Sequence, residues 1–355
     1  MLGDRTGDEE ERVAYVGVVD DVRRAIALER PRRLPVFACS EEFDVRWDGR
    51  YTYEELCQDG TKIADVWSRA IEEFDYDWAW VQVDDCFEME PLGVVCRGEG
   101  NILRATVGHL KPAAETVRAL KIPDPGSAGR MPEKLEAIRL LRRRFGDSIL
   151  IEGSCAAPYS AVGLLYGLEE AMLLGLGEPE LLADTCRFFV EAQARYIRAQ
   201  VEAGAQAVWL GDCNAFSGLL SVEQYRKFAL PSCRKLVEEA HASGAIVHLH
   251  DSEISLPHLL AEAETGADII NCGPAADITA VRGELGGKRC FSGNLDPIEV
   301  LMRGKPADVA RETERIVSAG RSGGGYLFNT GEMNPRDVPV ENMKAMIASA
   351  RRAGV

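Results

Sequence analysis

The chain has 355 residues and a formal net charge of −16, from 41 lysines and arginines against 57 aspartates and glutamates. Nucleic-acid binding requires a basic surface, so this balance argues against it. The apolar share of 46% and the charged share of 28% are typical of a globular protein. No window has the long uncharged apolar run of a membrane span, and the acidic start resembles neither a signal nor a transit peptide. We therefore expect a cytoplasmic protein that binds neither membranes nor nucleic acid.

The ten cysteines are scattered along the chain and form no CxxC pair. In a cytoplasmic chain such cysteines are expected to be reduced core residues rather than a disulfide framework.

Short apolar runs alternate with long amphipathic segments, as in α/β proteins with parallel strands. Eight runs are predicted to be strands: 34–39, 78–84, 149–153, 207–212, 245–250, 268–272, 289–294 and 326–330. Helical periodicity or cap signals predict helices over 53–73, 132–145, 179–203, 222–243, 256–265, 297–319 and 339–353. This count predicts a TIM (β/α)8 barrel. One doubly wound sheet is the alternative, disfavoured because no glycine-rich dinucleotide loop follows the first strand.

A typical barrel needs about 250 residues, which leaves roughly 100 outside it. We assign residues 1–32 to an N-terminal extension and 33–355 to a single barrel domain. An excursion at about 86–131, between strands two and three, is rich in turn residues. It is predicted to form a small β-ribbon or a lid.

The segment 245–253 combines a buried strand with a cluster of polar residues at its end. His248 and His250 are two of only five histidines, and residues two apart in a strand point to the same face. This placement predicts a shared metal or substrate site, whereas an isolated histidine is usually structural.

Polar residues collect at the ends of the other predicted strands as well, where TIM barrels place their active sites. Helix capping explains several of them but not His248, His250 and Glu332 together, which face across the barrel mouth. Two imidazoles and one carboxylate make an open three-ligand set, for which Zn2+ is the commonest occupant and Fe2+ an alternative. The remaining candidates are Asp84 and Asp212 as catalytic carboxylates, and Cys213, Asn294 and Asn329 as substrate-binding groups.

Two of these candidates have open roles. Asp212 or Cys213 could supply a further metal ligand, or could simply end the fourth strand and cap the next helix. Asp84 could equally be a turn residue beside Asp85.

Several segments together resemble the uroporphyrinogen decarboxylase superfamily, and within it the corrinoid-dependent methyltransferases of the cobalamin:coenzyme M type. They are 122–138, Glu202-Ala203-Gly204-Ala205, Gly211-Asp212, 228–231, His248-Leu249-His250-Asp251, Gly293-Asn294-Leu295-Asp296-Pro297, and Gly331-Glu332 with 339–342. Their order and spacing are specific, and the resemblance, from about Asp20 to the C-terminus, implies a TIM barrel. It also places Asp84 where the decarboxylases have their key aspartate.

The chain departs from these relatives at the positions that matter for a metal. The thiol-activating methyltransferases resemble His-x-Cys on the fifth strand with a distant cysteine on the eighth. Here those positions map to His248, His250 and Glu332. The decarboxylases have a histidine after the eighth strand, which here is also Glu332. Their anion-binding stretch near the N-terminus is matched only superficially, at 49–51.

The ligand replacement has a chemical interpretation. A His/His/Glu set is harder than a thiolate set and leaves the ion a stronger Lewis acid. We therefore expect zinc-dependent methyl transfer between a small O-methyl or N-methyl substrate and a corrinoid (cobalamin) on a partner protein. The corrinoid would be external because the chain has no Asp-x-His-x-x-Gly motif.

Three alternatives remain open at this point. The same site could transfer methyl from a methylcorrinoid to a thiol or folate. A decarboxylase-like lyase could act without metal through Asp84. The chain could also have lost chemistry and serve as a corrinoid- or ligand-binding subunit, possibly as a homodimer, but the dense polar mouth argues against this.

Overall fold

The structure, a computed structural model, describes residues 15–355. Seven parallel strands form one curled sheet, in the order β1 (Trp78–Trp80), β4 (Leu150–Ala156), β5 (Ala207–Gly211), β6 (Ile246–His250), β7 (Ile269–Asn271), β8 (Cys290–Leu295) and β9 (Tyr326–Thr330). Each lies within one residue or two of a predicted strand, except that β1 ends earlier and β4 later. This sheet, with helices between its strands, confirms a TIM-type α/β fold.

The predicted first strand, 34–39, is a single β-bridge between Val36 and Phe328 rather than a strand. The amide of Phe37 donates to the carbonyl of Phe328 at 2.8 Å, and the amide of Asp77 donates to the carbonyl of Val36 at 3.0 Å. The segment is therefore bonded to β9 on one side and to the start of β1 on the other. Pro35 has no amide hydrogen, which limits how far this ladder can extend.

The segment between β1 and β4 contains a two-stranded antiparallel ribbon, β2 (Val95–Glu99) paired with β3 (Ile102–Gly108). This agrees with the ribbon predicted there. The short helix α5 (Ala114–Ala119) follows it, and α6 (Met131–Phe145) then leads into β4.

The predicted helices are present, several of them in two pieces. They comprise α3 (Tyr53–Leu56), α4 (Gly60–Phe74), α9 (Pro179–Ala203), α10 (Val222–Phe228), α11 (Leu230–Ala242), α12 (Leu256–Glu262), α14 (Pro306–Gly320) and α15 (Val340–Ala353), with a π-helix over Pro297–Met302. The predicted helix 53–73 breaks because Asp59 caps a new helix, its side chain accepting from the amides of Thr61 and Lys62.

Further helices were not predicted: α1 (Val18–Ile26), α2 (Glu41–Asp48), α5, α7 (Pro158–Tyr166), α8 (Leu168–Gly177) and α13 (Ile278–Glu284). The helix α7 illustrates why such helices escape prediction from sequence: eight of its nine residues are buried. A helix buried nearly all round has no polar face and therefore no helical periodicity to detect.

Within residues 15–355, no single helix is long and apolar enough to cross a membrane. The pair α7 and α8 reaches that length and composition together, but the two helices are bent by 114°.

Aromatic side chains fill the interior of the sheet. Phe37 stacks on Trp78 with ring centroids 4.5 Å apart, and Trp80 lies 4.8 Å from Trp209. Trp209 in turn contacts His248 at 4.6 Å and stacks on His250 at 4.5 Å. Both histidines thus point inward from β6, as the strand period predicts.

A pH dependence of stability follows from Asp44 of α2, which is buried and accepts hydrogen bonds from Ser40 and Tyr76. Burial raises its pKa to about 8, against the effect of these two hydrogen bonds. The folded state therefore holds a proton that the unfolded chain loses near pH 4. The proton on Asp44 therefore makes the free energy of unfolding decrease as pH rises from about 4 to 8, by up to about 1.4 kcal/mol per pH unit.

We expect Asp44→Asn to flatten the pH dependence over this range, as measured by denaturant unfolding at pH 5, 6, 7 and 8. The exposed Glu284→Gln serves as the control and should follow the unmodified protein. Parallel profiles for Asp44→Asn and the unmodified protein would show that Asp44 is ionised throughout.

Candidate active site

A cavity of about 70 Å³ opens at the carboxyl ends of the strands. We call it the mouth cavity. Its volume is that of roughly two water molecules. Strand ends, α2 and the ribbon strand β3 contribute its walls: Glu41, Trp80, Gln82, Val83, Asp84, Asp85, Leu103, Cys155, Trp209, Gly211, Cys213, His250, Glu332 and Met333.

The mouth cavity is acidic. Glu41, Asp84, Asp85 and Glu332 line it together with one imidazole, and no lysine or arginine appears among its described lining residues. The described lining therefore supplies donor oxygens for a metal ion and no cationic group for an anion.

His250 and Glu332, two of the three predicted metal ligands, meet in this cavity. The His250 Nε2 lies 3.4 Å from a carboxylate oxygen of Glu332, and Ser252 donates to the same oxygen. The amide of Met333 donates to the other oxygen at 2.7 Å. Burial acts to raise the pKa of Glu332, but the proximity of His250 and the hydrogen bonds from His250 and the Met333 amide lower it overall. The buried Nδ1 of His250 has no hydrogen-bond partner.

The structure does not bring His248 to the mouth cavity. Its Nε2 bonds to the Ser292 hydroxyl at 2.8 Å, and its Nδ1 lies 3.4 Å from Glu152. The ring is fully buried. Residues two apart in a strand share a face but differ in depth by about 6.6 Å. His248 therefore occupies the layer below His250, a difference that the shared face does not reveal.

Asp84 lines the mouth cavity with both carboxylate oxygens engaged. Arg130 donates to them at 2.8 and 3.0 Å, and the Cys86 amide donates at 2.8 Å. Arg130 also bonds to Glu90 at 2.9 Å. Asp84 is thus the anionic half of a buried ion pair as well as a wall of the cavity.

Asp212 and Cys213 follow β5 and point in different directions. Asp212 is buried away from the mouth cavity and accepts from the Ser160 hydroxyl at 2.8 Å. Burial raises its pKa to about 6, although the bonds from Ser160 lower it. Cys213 is a solvent-exposed residue that lines the cavity together with His250.

The two predicted asparagines support backbone rather than the cavity wall. The Asn294 amide donates to the carbonyls of Gly273 and Ala276 at 3.0 and 2.8 Å. The Asn329 oxygen accepts from the Thr330 amide at 2.8 Å, and its amide group contacts the Cys39 thiol. Neither residue lines the mouth cavity.

Sequence reasoning missed several lining residues. Glu41 follows the first barrel segment, so the strand-end rule applied to 34–39 would have found it. Trp80 and Trp209 carry no such signal, because inward aromatic residues in a strand are usually core.

A second group of potential ligands lies outside the mouth cavity. Within residues 15–355, one set of at least three histidine, cysteine or carboxylate side chains has ligand atoms all within 4.8 Å of one another: Asp251, Glu253, His258 and Glu262. We call it the buried carboxylate cluster.

Comparison with known proteins agrees with this architecture. The sequence pattern of the family described as Uroporphyrinogen decarboxylase (URO-D) matches residues 19–353, so the chain belongs to that family. The chain is 28% identical to a uroporphyrinogen decarboxylase of Syntrophotalea carbinolica, over 85% of this chain and 87% of the relative. It is 25% identical to that of Carboxydothermus hydrogenoformans, over 87% of both chains.

Among solved structures, a methyltransferase from Methanosarcina mazei has a TM-score of 0.84 at 20% identity, covering 94% of this chain and 98% of that one. The chain therefore shares its fold with a methyltransferase while its sequence relatives include decarboxylases.

Removing the Asp84 carboxylate should destabilise the fold. Asp84→Asn removes one of the two carboxylates that pair with the buried Arg130 guanidinium, and breaking a buried pair costs up to about 3–5 kcal/mol. Denaturant unfolding measures this loss, with the exposed neighbour Asp85→Asn as a control expected to stay within about 0.5 kcal/mol. An Asp84→Asn variant as stable as Asp85→Asn would show that the ion pair contributes little to folding.

Proposed function

We propose that this protein transfers a methyl group between a small O-methyl or N-methyl compound and a corrinoid carried by a partner protein. The observation that carries the proposal is the acidic mouth cavity, in which His250 and Glu332 face each other. The shared fold with the Methanosarcina mazei methyltransferase supports it.

Metal-free decarboxylation, the alternative through Asp84, is disfavoured by electrostatics. Uroporphyrinogen carries many carboxylates, which an enzyme must neutralise with cationic groups. Here four carboxylates line the cavity, and the nearby Arg130 is already paired with Asp84 and Glu90. The cavity therefore offers no free cationic group to neutralise a polyanionic substrate.

The mouth cavity contains three donor atoms of the kinds that zinc binds. His250 and Glu332 offer nitrogen and oxygen, and Cys213, which lines the same cavity, offers sulfur as a third donor. We propose this set because His248, the third ligand that the sequence predicts, lies one layer deeper with Ser292 and Glu152. When bound, the ion would supply Lewis-acid polarisation of the ether oxygen or amine that leaves.

The chain's own groups then position the substrate. Trp80, Trp209 and Leu103 give the cavity an apolar wall against which a methyl-bearing group packs. Glu41 is buried in the same wall, with its Oε2 unpartnered. Burial raises its pKa well above the usual range, so its carboxyl group can deliver a proton to the leaving atom.

The test is methylation of cob(I)alamin, followed by absorbance, with a panel of methoxyaromatics, methylamines and betaines. We expect turnover with at least one donor class. His250→Gln and Glu332→Gln should each lower kcat/KM by at least about 100-fold and reduce bound zinc, because first-sphere ligands are lost. Glu284→Gln on α13 is exposed and should keep full activity.

Activity restricted to methylcobalamin plus a thiol or folate would reverse the proposed direction of transfer. Unchanged activity and metal content in both His250→Gln and Glu332→Gln would contradict the proposed site.

A further inference from the structure

The buried carboxylate cluster lies just beyond the carboxyl end of β6, between the following loop and α12. Asp251 and Glu253 belong to the loop that leaves β6, whereas His258 and Glu262 stand four residues apart on α12. Residues at this spacing share one face of a helix. All four side chains are at most 1% exposed, and none of them lines the mouth cavity.

Several polar atoms of the cluster have no partner. They are Oδ2 of Asp251, Nδ1 of His258 and both carboxylate oxygens of Glu262. Glu262 is completely buried, and its unpartnered atoms face the other three side chains. Leaving such groups unsatisfied away from water is strongly unfavourable, so this space must hold either a cation or a proton shared between the carboxyl groups of Asp251 and Glu262.

The histidine presents a free lone pair to this space. The His258 Nε2 lies 2.9 Å from the carbonyl oxygen of Ala215, which can only accept, so Nε2 carries the hydrogen. The Nδ1 has no hydrogen-bond partner of its own and lies toward the carboxylate of Glu253. A backbone carbonyl that fixes the other ring nitrogen is the usual support of a metal-binding imidazole.

Glu253 faces this lone pair as a second acceptor. Its Oε2 lies 3.8 Å from the His258 Nδ1. The same carboxylate accepts from the Ser217 amide and hydroxyl and from the Ile254 amide, at 2.6, 2.7 and 2.8 Å. These bonds fix the position of the Glu253 carboxylate. At 3.8 Å its Oε2 is too far from the His258 Nδ1 for a hydrogen bond, and a cation bound by both atoms would span this gap.

No basic side chain supplies that charge. Across the part of the chain that the structure describes, neither lysine nor arginine forms an ion pair with any member of the cluster. The neighbouring carboxylate of Asp212 adds further negative potential.

We propose that the buried carboxylate cluster is a second metal site, which binds one divalent cation through Asp251, Glu253, His258 and Glu262. Three carboxylates and one imidazole form a hard, mixed oxygen and nitrogen set of the kind that takes Mn2+. The ion fastens the loop after β6 to α12. This site does not depend on the methyltransferase proposal, because it shares no residue with the mouth cavity.

Mn2+ is the probe, since its free form is counted by electron paramagnetic resonance. Full-length protein freed of metal with EDTA should bind Mn2+, and its unfolding midpoint should rise by at least about 3 °C. Glu262→Gln and His258→Gln should lose both effects. Glu332→Gln, which alters the mouth cavity, and the exposed Glu284→Gln should keep them.

A spectroscopic measurement makes the assignment independent of variant stability. Electron–nuclear double resonance of the Mn2+-loaded protein should show a directly coordinated 14N that disappears in His258→Gln and persists in His250→Gln. Loss in His250→Gln instead would place the ion in the mouth cavity and overturn the proposal. So would the absence of any 14N coupling, which would remove His258 from the ligand set, or the absence of Mn2+ stabilisation, which would mean that the carboxyl groups share protons instead.

Discussion

The alternation of side chains along β6 is the constraint on which both polar sites depend. Successive residues of a strand point to opposite faces, so His250 turns into the barrel while Asp251, just beyond the strand, joins the cluster against α12. The parallel register holds this strand end in place: Gly211 pairs with His250, and the Asp212 amide donates to the His250 carbonyl at 2.7 Å. One strand end therefore serves two chemically different environments.

A structural feature could be predicted from the sequence when it depends on residues that are close together in the chain. Strand periods and apolar runs are local, so the TIM-type fold and the inward direction of His248 and His250 follow from them. The contact between His250 and Glu332 follows from barrel topology, which joins distant strand ends. Depth and partners are not local. The layer occupied by His248 depends on Ser292 and Glu152, and the engagement of Asp84 depends on Arg130, 46 residues away.

Membership of a family does not by itself determine what the mouth cavity of this chain can bind. The chain belongs to the uroporphyrinogen decarboxylase family, yet its mouth cavity has carboxylates and no described cationic lining residue. A fold of this kind positions strand ends, whereas the side chains at those ends decide what can bind. The aspartate that the resemblance identifies, Asp84, is present but tied to Arg130. Asp84 therefore has a structural role as one half of a buried ion pair.

Two adjacent loop residues connect the mouth cavity to the buried carboxylate cluster. Ser252 donates to Glu332, and Glu253 belongs to the cluster. Ser252 has a φ of +62°, a conformation that non-glycine residues adopt only when their surroundings impose it. The Gly273 amide bonds to the Glu253 carbonyl at 2.7 Å, and a Cβ on Gly273 would lie 2.1 Å from the Ser252 carbonyl oxygen. An ion in the cluster would hold Glu253, and through this tightly packed turn it would set where Ser252 meets Glu332.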